Sequence, residues 1–177
     1  MHMEDVILVD INDNQIGTMD KMQAHTKPNL HRAFSVFLFN GNKMLIQKRA
    51  FNKYHSGGLW ANACCSHPRA NKEFLDSVYD RISFELGIKN KIDLKELFSF
   101  TYCSKYNENL YEYEYDHVLL GNIKNYDNNF NKDEIAEMKW VDIDWLSLDL
   151  VKNPTYYASW FLICAPRVIK YIKDGVK

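Results

Sequence analysis

The sequence predicts an α/β fold: a mixed β-sheet packed between α-helices, with an N-terminal β-hairpin. Three observations lead there. Short β-rich runs bounded by turn residues fill the middle of the chain. Helical periodicity is confined to a few well-separated stretches, the arrangement expected when helices cover the faces of a sheet. No internal repeat and no Pro/Gly/Ser-rich linker divides the 177 residues, which as one domain over 1–177 can bury a core without disulfides or a structural metal.

Asp5 to Asp10 and Gln15 to Met19 flank Asn12-Asp13-Asn14 and read as the first hairpin. A short helical turn is expected over Lys21 to His25. Phe34 to Phe39 and Lys43 to Lys48 are joined by Asn40-Gly41-Asn42, the turn chemistry of a second hairpin. Leu59 to Cys65 reads as one further strand. From Lys72 to Leu86 the period changes: Leu75, Val78, Ile82 and Leu86 recur along one helical side, and Gly87 is placed to end the helix. Strands follow at Leu97 to Cys103, Leu110 to Leu120 and Glu137 to Val141. Helices follow near Asp142 to Leu148 and Thr155 to Ile172, the second expected to kink or break at Pro166.

Lys and Arg total 22 against 23 Asp and Glu, a balance that argues against a nucleic-acid or membrane-surface role driven by bulk charge. Cys64 and Cys65 are adjacent and poorly placed to pair with each other, Cys103 and Cys164 show no framework spacing, and no stretch reads as a signal peptide or membrane span. The expectation is a reduced, cytoplasmic protein with free thiols.

The polar residues carry the functional argument. In an extended Asn62-Ala63-Cys64-Cys65-Ser66-His67-Pro68 run, Cys65 and His67 share a face because side chains alternate. A thiol beside an imidazole suits either an activated cysteine or a metal site. In the run Leu110 to Leu120, Glu112, Glu114 and Asp116 share one face, and Tyr111, Tyr113, Tyr115 and His117 the other. Either the acids form a solvated face over an aromatic core, or something cationic lies opposite them. Three histidines, His25, His31 and His67, with two of these carboxylates match a donor set suited to Zn²⁺, Mn²⁺ or Fe²⁺. Arg81 and Glu85 stand four apart on the helix and read either as an ordinary exposed ion pair or as a guanidinium for phosphate and a carboxylate for Mg²⁺. Lys21, Arg49 and Lys53 add possible cations.

Taken together, His25-Thr26, Leu30-His31-Arg32-Ala33-Phe34-Ser35, Trp60-Ala61-Asn62-Ala63-Cys64-Cys65-Ser66-His67-Pro68, Glu85-Leu86-Gly87 and Glu112-Tyr113-Glu114-Tyr115-Asp116 resemble the type I isopentenyl-diphosphate isomerases. The resemblance runs from the first hairpin to Trp160. It implies a Nudix-like α/β fold and interconversion of isopentenyl and dimethylallyl diphosphate in isoprenoid biosynthesis. It also implies a small-molecule prenyl diphosphate as substrate, with no nucleic-acid or membrane partner, and a monomer or weak homodimer.

Position by position, the resemblance makes His25, His31, His67, Glu112 and Glu114 ligands of one divalent metal (Mn²⁺, Zn²⁺ or Mg²⁺). It gives Glu85 a second Mg²⁺ that arrives with the substrate diphosphate, alongside Lys21, Arg49, Lys53 and Arg81. Cys65 falls on the catalytic cysteine, Glu114 on the second acid/base group, Tyr102 on its hydrogen-bonding partner and Trp160 on the aromatic wall of the pocket. The rival is a Nudix pyrophosphohydrolase. Arg81-Ile82-Ser83-Phe84-Glu85-Leu86-Gly87-Ile88 lies where a Nudix box would, but Phe84 precedes Glu85 and Arg81 stands where a glutamate is expected. The diphosphate is therefore expected to be held and not cleaved.

Overall fold

In a computed structural model of the chain, residues 5–175 are described. The sheet is built around β3 (His31–Asn40). Phe34, Val36 and Leu38 of this strand point into one core, and Phe37 and Phe39 into another. A strand apolar on both faces must be covered on both, so it lies inside the sheet. Along one edge β3 pairs in parallel with β8 (Leu110–Asn122), from His31 opposite Glu114 to Phe39 opposite Asn122. The long β7 (Leu94–Asn107) lies antiparallel on the far side of β8.

On the other edge β3 turns at Gly41, φ +56°, into β4 (Lys43–Arg49), which β9 (Ile135–Asp142) flanks. The N-terminal hairpin forms as expected from β1 (Asp5–Val9) and β2 (Gln15–Asp20). Its loop is closed by Asp10, which accepts from the backbone N–H of Asn12 at 2.8 Å and Asn14 at 2.9 Å. Asp20 then caps α1 (Lys21–Thr26) by accepting from the N–H of Gln23.

The segment expected as one strand from Leu59 to Cys65 is two. β5 (Trp60–Asn62) pairs with β4, and β6 (Cys64–Ser66) pairs with β3. The chain crosses between them at Ala63 and wedges the β3–β4 hairpin apart. Its backbone groups must then find partners outside the ladder. The Gln47 amide donates to the Ala63 carbonyl at 3.0 Å, and the Asn62 amide donates to the carbonyls of Val36 at 3.2 Å and Cys64 at 2.7 Å.

α2 (Phe74–Leu86) covers the core of Phe34, Val36 and Leu38 with Val78, Ile82 and Leu86. Leu75, expected in that stripe, is 46% exposed, and Phe74 packs there instead. At ~100° per residue, four residues back from Val78 is ~40° off its line and three back is ~60° off on the other side. Gly87 ends the helix at φ +70°, where an added Cβ would stand 2.3 Å from the Asn129 carbonyl oxygen. The opposite face is covered by α3 (Ile143–Lys152), capped by Asp142, and α4 (Ser159–Lys173). The helix expected from Thr155 begins instead as a 3-10 turn, Pro154–Tyr156, and Pro166 does not interrupt α4. Pro166 lies on the exposed face, so the carbonyl one turn back is not forced into the core without a partner. Among the described residues no helix is long and apolar enough to cross a membrane.

Candidate active site

The acidic face of β8 is turned inward. Glu112, Glu114 and Asp116 are only 4%, 5% and 1% exposed, while Tyr111, Tyr113 and Tyr115 are half-buried on the other side. The reading of a solvated acidic face over an aromatic core is thereby reversed. Buried carboxylates need partners, and the register supplies them. His31 of β3 lies directly opposite Glu114, and Cys65 of β6 pairs with Ser35 of β3, so thiol, imidazole and carboxylate come from three adjacent strands.

Four donors converge: ligand atoms of His25, His31, His67 and Glu114 all lie within 4.8 Å of one another. His67 Nε2 is 2.9 Å from Glu114 Oε1 and 3.2 Å from His31 Nε2. His25 Nδ1 donates to the Lys21 carbonyl at 2.6 Å, and His31 Nδ1 donates to the Asn29 carbonyl at 2.8 Å. Those bonds leave the Nε2 lone pairs facing the cluster, and His25 Nε2 is buried with no hydrogen-bond partner. An imidazole whose far nitrogen donates to a carbonyl is the usual arrangement of a metal ligand. These donors fit a divalent cation.

Burial opposes charge on all these groups. It holds His25 below its ordinary value and takes His67 down to about 3. Against the same burial, the hydrogen bond to Glu114 holds His31 above its ordinary value, and the bonds from His31 and His67 hold Glu114 well below the carboxylate range.

Glu112, expected as a fifth ligand, stands slightly apart. Two residues along a strand is ~6.6 Å, and its ligand atom groups instead with those of His25 and His55, again within 4.8 Å. His55 Nε2 is 3.1 Å from Glu112 Oε1, and the Tyr106 hydroxyl donates to Oε2 at 2.6 Å. Glu114 is held in a parallel way, since the Tyr102 hydroxyl donates to its Oε2 at 2.6 Å.

One cavity joins these groups to the remaining expected residues: Lys21, Arg49, Lys53, Cys65, Arg81, Glu85, Tyr102 and Trp160 all line it. The Cys65 thiol is pushed well up by burial, which the Arg49 guanidinium opposes from 3.8 Å. Arg49 also lies 5.3 Å from the centroid of the Trp160 ring, so the indole face already meets a cation. Trp160 is fixed by donation of its Nε1–H to the Asn62 side-chain oxygen at 3.0 Å. Cys64 faces away, buried in the core under α2.

At the other end Arg81 does pair with Glu85, at 2.9 Å through Nε, but Glu85 is buried, which the reading as an ordinary exposed ion pair did not foresee. Arg81 also reaches Glu134 at 3.1 Å, and Lys53 reaches the same carboxylate at 2.6 Å.

His55, Tyr106 and Glu134 were not anticipated. His55 was the one with a signal, since it closes Lys53-Tyr54-His55 two residues from an expected cation. Tyr106 reaches Glu112 across the tight turn of the β7–β8 hairpin, whereas Glu134 joins the site only because β9, which it precedes, pairs with β4 far back in the chain.

The NUDIX domain family matches residues 29–161, and solved structures share the fold. A Deinococcus radiodurans protein superposes with a TM-score of 0.76 at 15% identity, covering 93% of this chain and 98% of its own. The MutT protein from Methanosarcina mazei gives 0.62 at 14% identity, covering 84% and 96%. The sequence relatives are narrower in kind. Isopentenyl-diphosphate Delta-isomerase 2 of Aromatoleum aromaticum is 46% identical over 171 residues, 94% of this chain and 88% of that one. The isopentenyl-diphosphate Delta-isomerase of Pectobacterium atrosepticum is 37% identical over 172 residues, 97% and 94% of the two. The chain belongs to the NUDIX family and, within it, to the isopentenyl-diphosphate Delta-isomerases.

Proposed function

We propose that this cavity interconverts isopentenyl and dimethylallyl diphosphate, with Cys65 and Glu114 as the two proton-transfer groups. The observation that carries the reading is that one cavity is lined at once by Cys65, Glu114, Trp160 and a row of cations. Moving an unactivated double bond requires a proton added to the terminal carbon and another taken from the carbon beside the oxygen-bearing methylene. Between those events the substrate passes through a tertiary carbocation-like species. One group gives the first proton, the other takes the second, and the reverse reaction exchanges their parts. Tyr102 orients the Glu114 carboxyl group by its hydrogen bond.

The Trp160 face stabilises the developing positive charge without offering a nucleophile to trap it, an interaction of ~2 kcal/mol or more in a desolvated site. A divalent cation held by His25, His31, His67 and Glu114, with Glu112 beside them, would supply Lewis acidity that tunes the proton affinity of the Glu114 carboxyl group. Arg49, Lys53, Arg81 and Lys21 bind the diphosphate oxygens, and Glu85 would hold a second Mg²⁺ that supplies further charge neutralisation there.

Purified protein incubated with isopentenyl diphosphate and Mg²⁺ should show dimethylallyl proton signals by NMR, with no free phosphate. Phosphate release without those signals would establish the hydrolase instead.

A further inference from the structure

His55 lies outside the expected ligand set, yet it is among the most enclosed polar groups of the site, with a side chain only 3% exposed. It stacks on Tyr106, ring centroids 4.6 Å apart, and meets the edge of Tyr54 at 4.5 Å. Both its nitrogens are committed. A carboxylate only accepts, so the contact of Nε2 with Glu112 Oε1 at 3.1 Å places the proton on Nε2. Nδ1 then accepts from the Ser56 hydroxyl at 3.3 Å. His25 Nε2, by contrast, has no hydrogen-bond partner.

The loop that carries His55 is tied down. The N–H of Arg49 donates to the Leu59 carbonyl at 2.9 Å, and the N–H of Gly58 donates to the Arg49 carbonyl at 3.0 Å. Gly57 is packed so closely that a Cβ would stand 2.6 Å from the Phe51 carbonyl oxygen.

We propose that His55 is a positioning residue of the metal centre. Its Nε2–H and the Tyr106 hydroxyl hold the two oxygens of Glu112 so that this carboxylate stays beside His25, and retention of the ion depends on that grip. The inference rests on the metal-centre reading above. Partners that orient a metal-binding carboxylate are worth about 10–100-fold in metal affinity. Lys53 sits on the same loop, so the segment that steadies the metal end also carries a cation of the diphosphate end.

The test uses the whole protein loaded with Zn²⁺ alone, with affinity read by competition against a chromophoric chelator and fold read by thermal melting of the metal-free protein. His55→Phe keeps a ring and removes the donor. It should weaken retention by about 10–100-fold, with a similar loss in Tyr106→Phe. His55→Gln, which keeps an N–H donor, should recover part of it. Metal-free melting should not track this order.

Zn²⁺ held by His55→Phe as tightly as by the parent protein overturns the proposal, as does a Gln variant no better than Phe. If His55→Phe does not fold, Tyr106→Phe decides by the same measure. A parent protein that takes up no Zn²⁺ brings down the metal-centre reading itself, a failure seen before any variant is compared.

Discussion

The two ends of the cavity are polar in different ways. At the histidine end, His25 and His31 are fixed by bonds to the main-chain carbonyls of Lys21 and Asn29, Glu114 by strand register and Tyr102, and His67 by its contact with Glu114. At the cationic end, long side chains neutralise one another: Arg81 divides itself between Glu85 and Glu134, and Lys53 shares Glu134. The first arrangement is preorganised for chemistry, where small displacements are costly. On the proposed reading the second would exchange partners when a diphosphate arrives, since its cations are already paired with their own carboxylates. Substitutions at the first end should therefore act on kcat, and those at the second on KM.

The sharpest way to break that division is at the proton-transfer groups. Cys65→Ser and Glu114→Gln should each lower kcat by about 10²–10⁴-fold, read by NMR turnover. A serine hydroxyl is a far poorer acid than a thiol despite its near-identical shape. A Cys65→Ala enzyme with full activity would remove the thiol from the reaction.

Trp160 comes next. A lost cation–π interaction of ~2 kcal/mol corresponds to ~30-fold, so Trp160→Leu should fall well below Trp160→Phe in kcat per folded molecule. Equal rates would leave the indole as core packing.

At the other end, Arg81→Gln should raise KM by ~10-fold, the scale of one charge-assisted hydrogen bond, with kcat nearly unchanged. A fall in kcat alone would erase the contrast between the ends.

Acid should act through one donor first. His31 is held above its ordinary value, while His25, His67 and Glu114 are held below theirs. As pH falls, His31 takes up a proton before the others do, and a cation must displace that proton to bind. Below the His31 pKa, metal affinity should drop ~10-fold per pH unit, and titration with a metal-binding dye at stepped pH measures the slope. A flat profile down to pH ~5 would mean that the ring stays neutral. The smallest effect is expected of Cys64→Ala, on the core side of the same strand: a stability loss of ~1 kcal/mol in denaturant melts, with turnover intact.

Local chemistry made much of this legible in advance. Asn12-Asp13-Asn14 and Asn40-Gly41-Asn42 marked both hairpins, and Gly87 marked the end of α2, because such positions are decided within a few residues. The separation of Cys64 from Cys65 followed from alternation alone. What was not legible depended on neighbours far along the chain. Alternation in Leu59 to Cys65 does not record that its first half pairs with β4 and its second with β3. The alternation of acids and tyrosines on β8 fixes two faces but not which is inside; that is set by β3 and α4, whose residues cover the acidic side. Glu134 and Lys53 meet across 81 positions of sequence, which no local pattern reports.

The bond from Trp160 to Asn62 spans 98 positions of the chain. During synthesis the histidines, Cys65 and both glutamates leave the ribosome well before the helix that brings the indole. A partly made chain thus contains every proposed metal ligand while the face that would steady a carbocation is still missing. In the finished fold the Asn62 side chain, held by the crossing of β5 and β6, is the mooring to which that last helix ties.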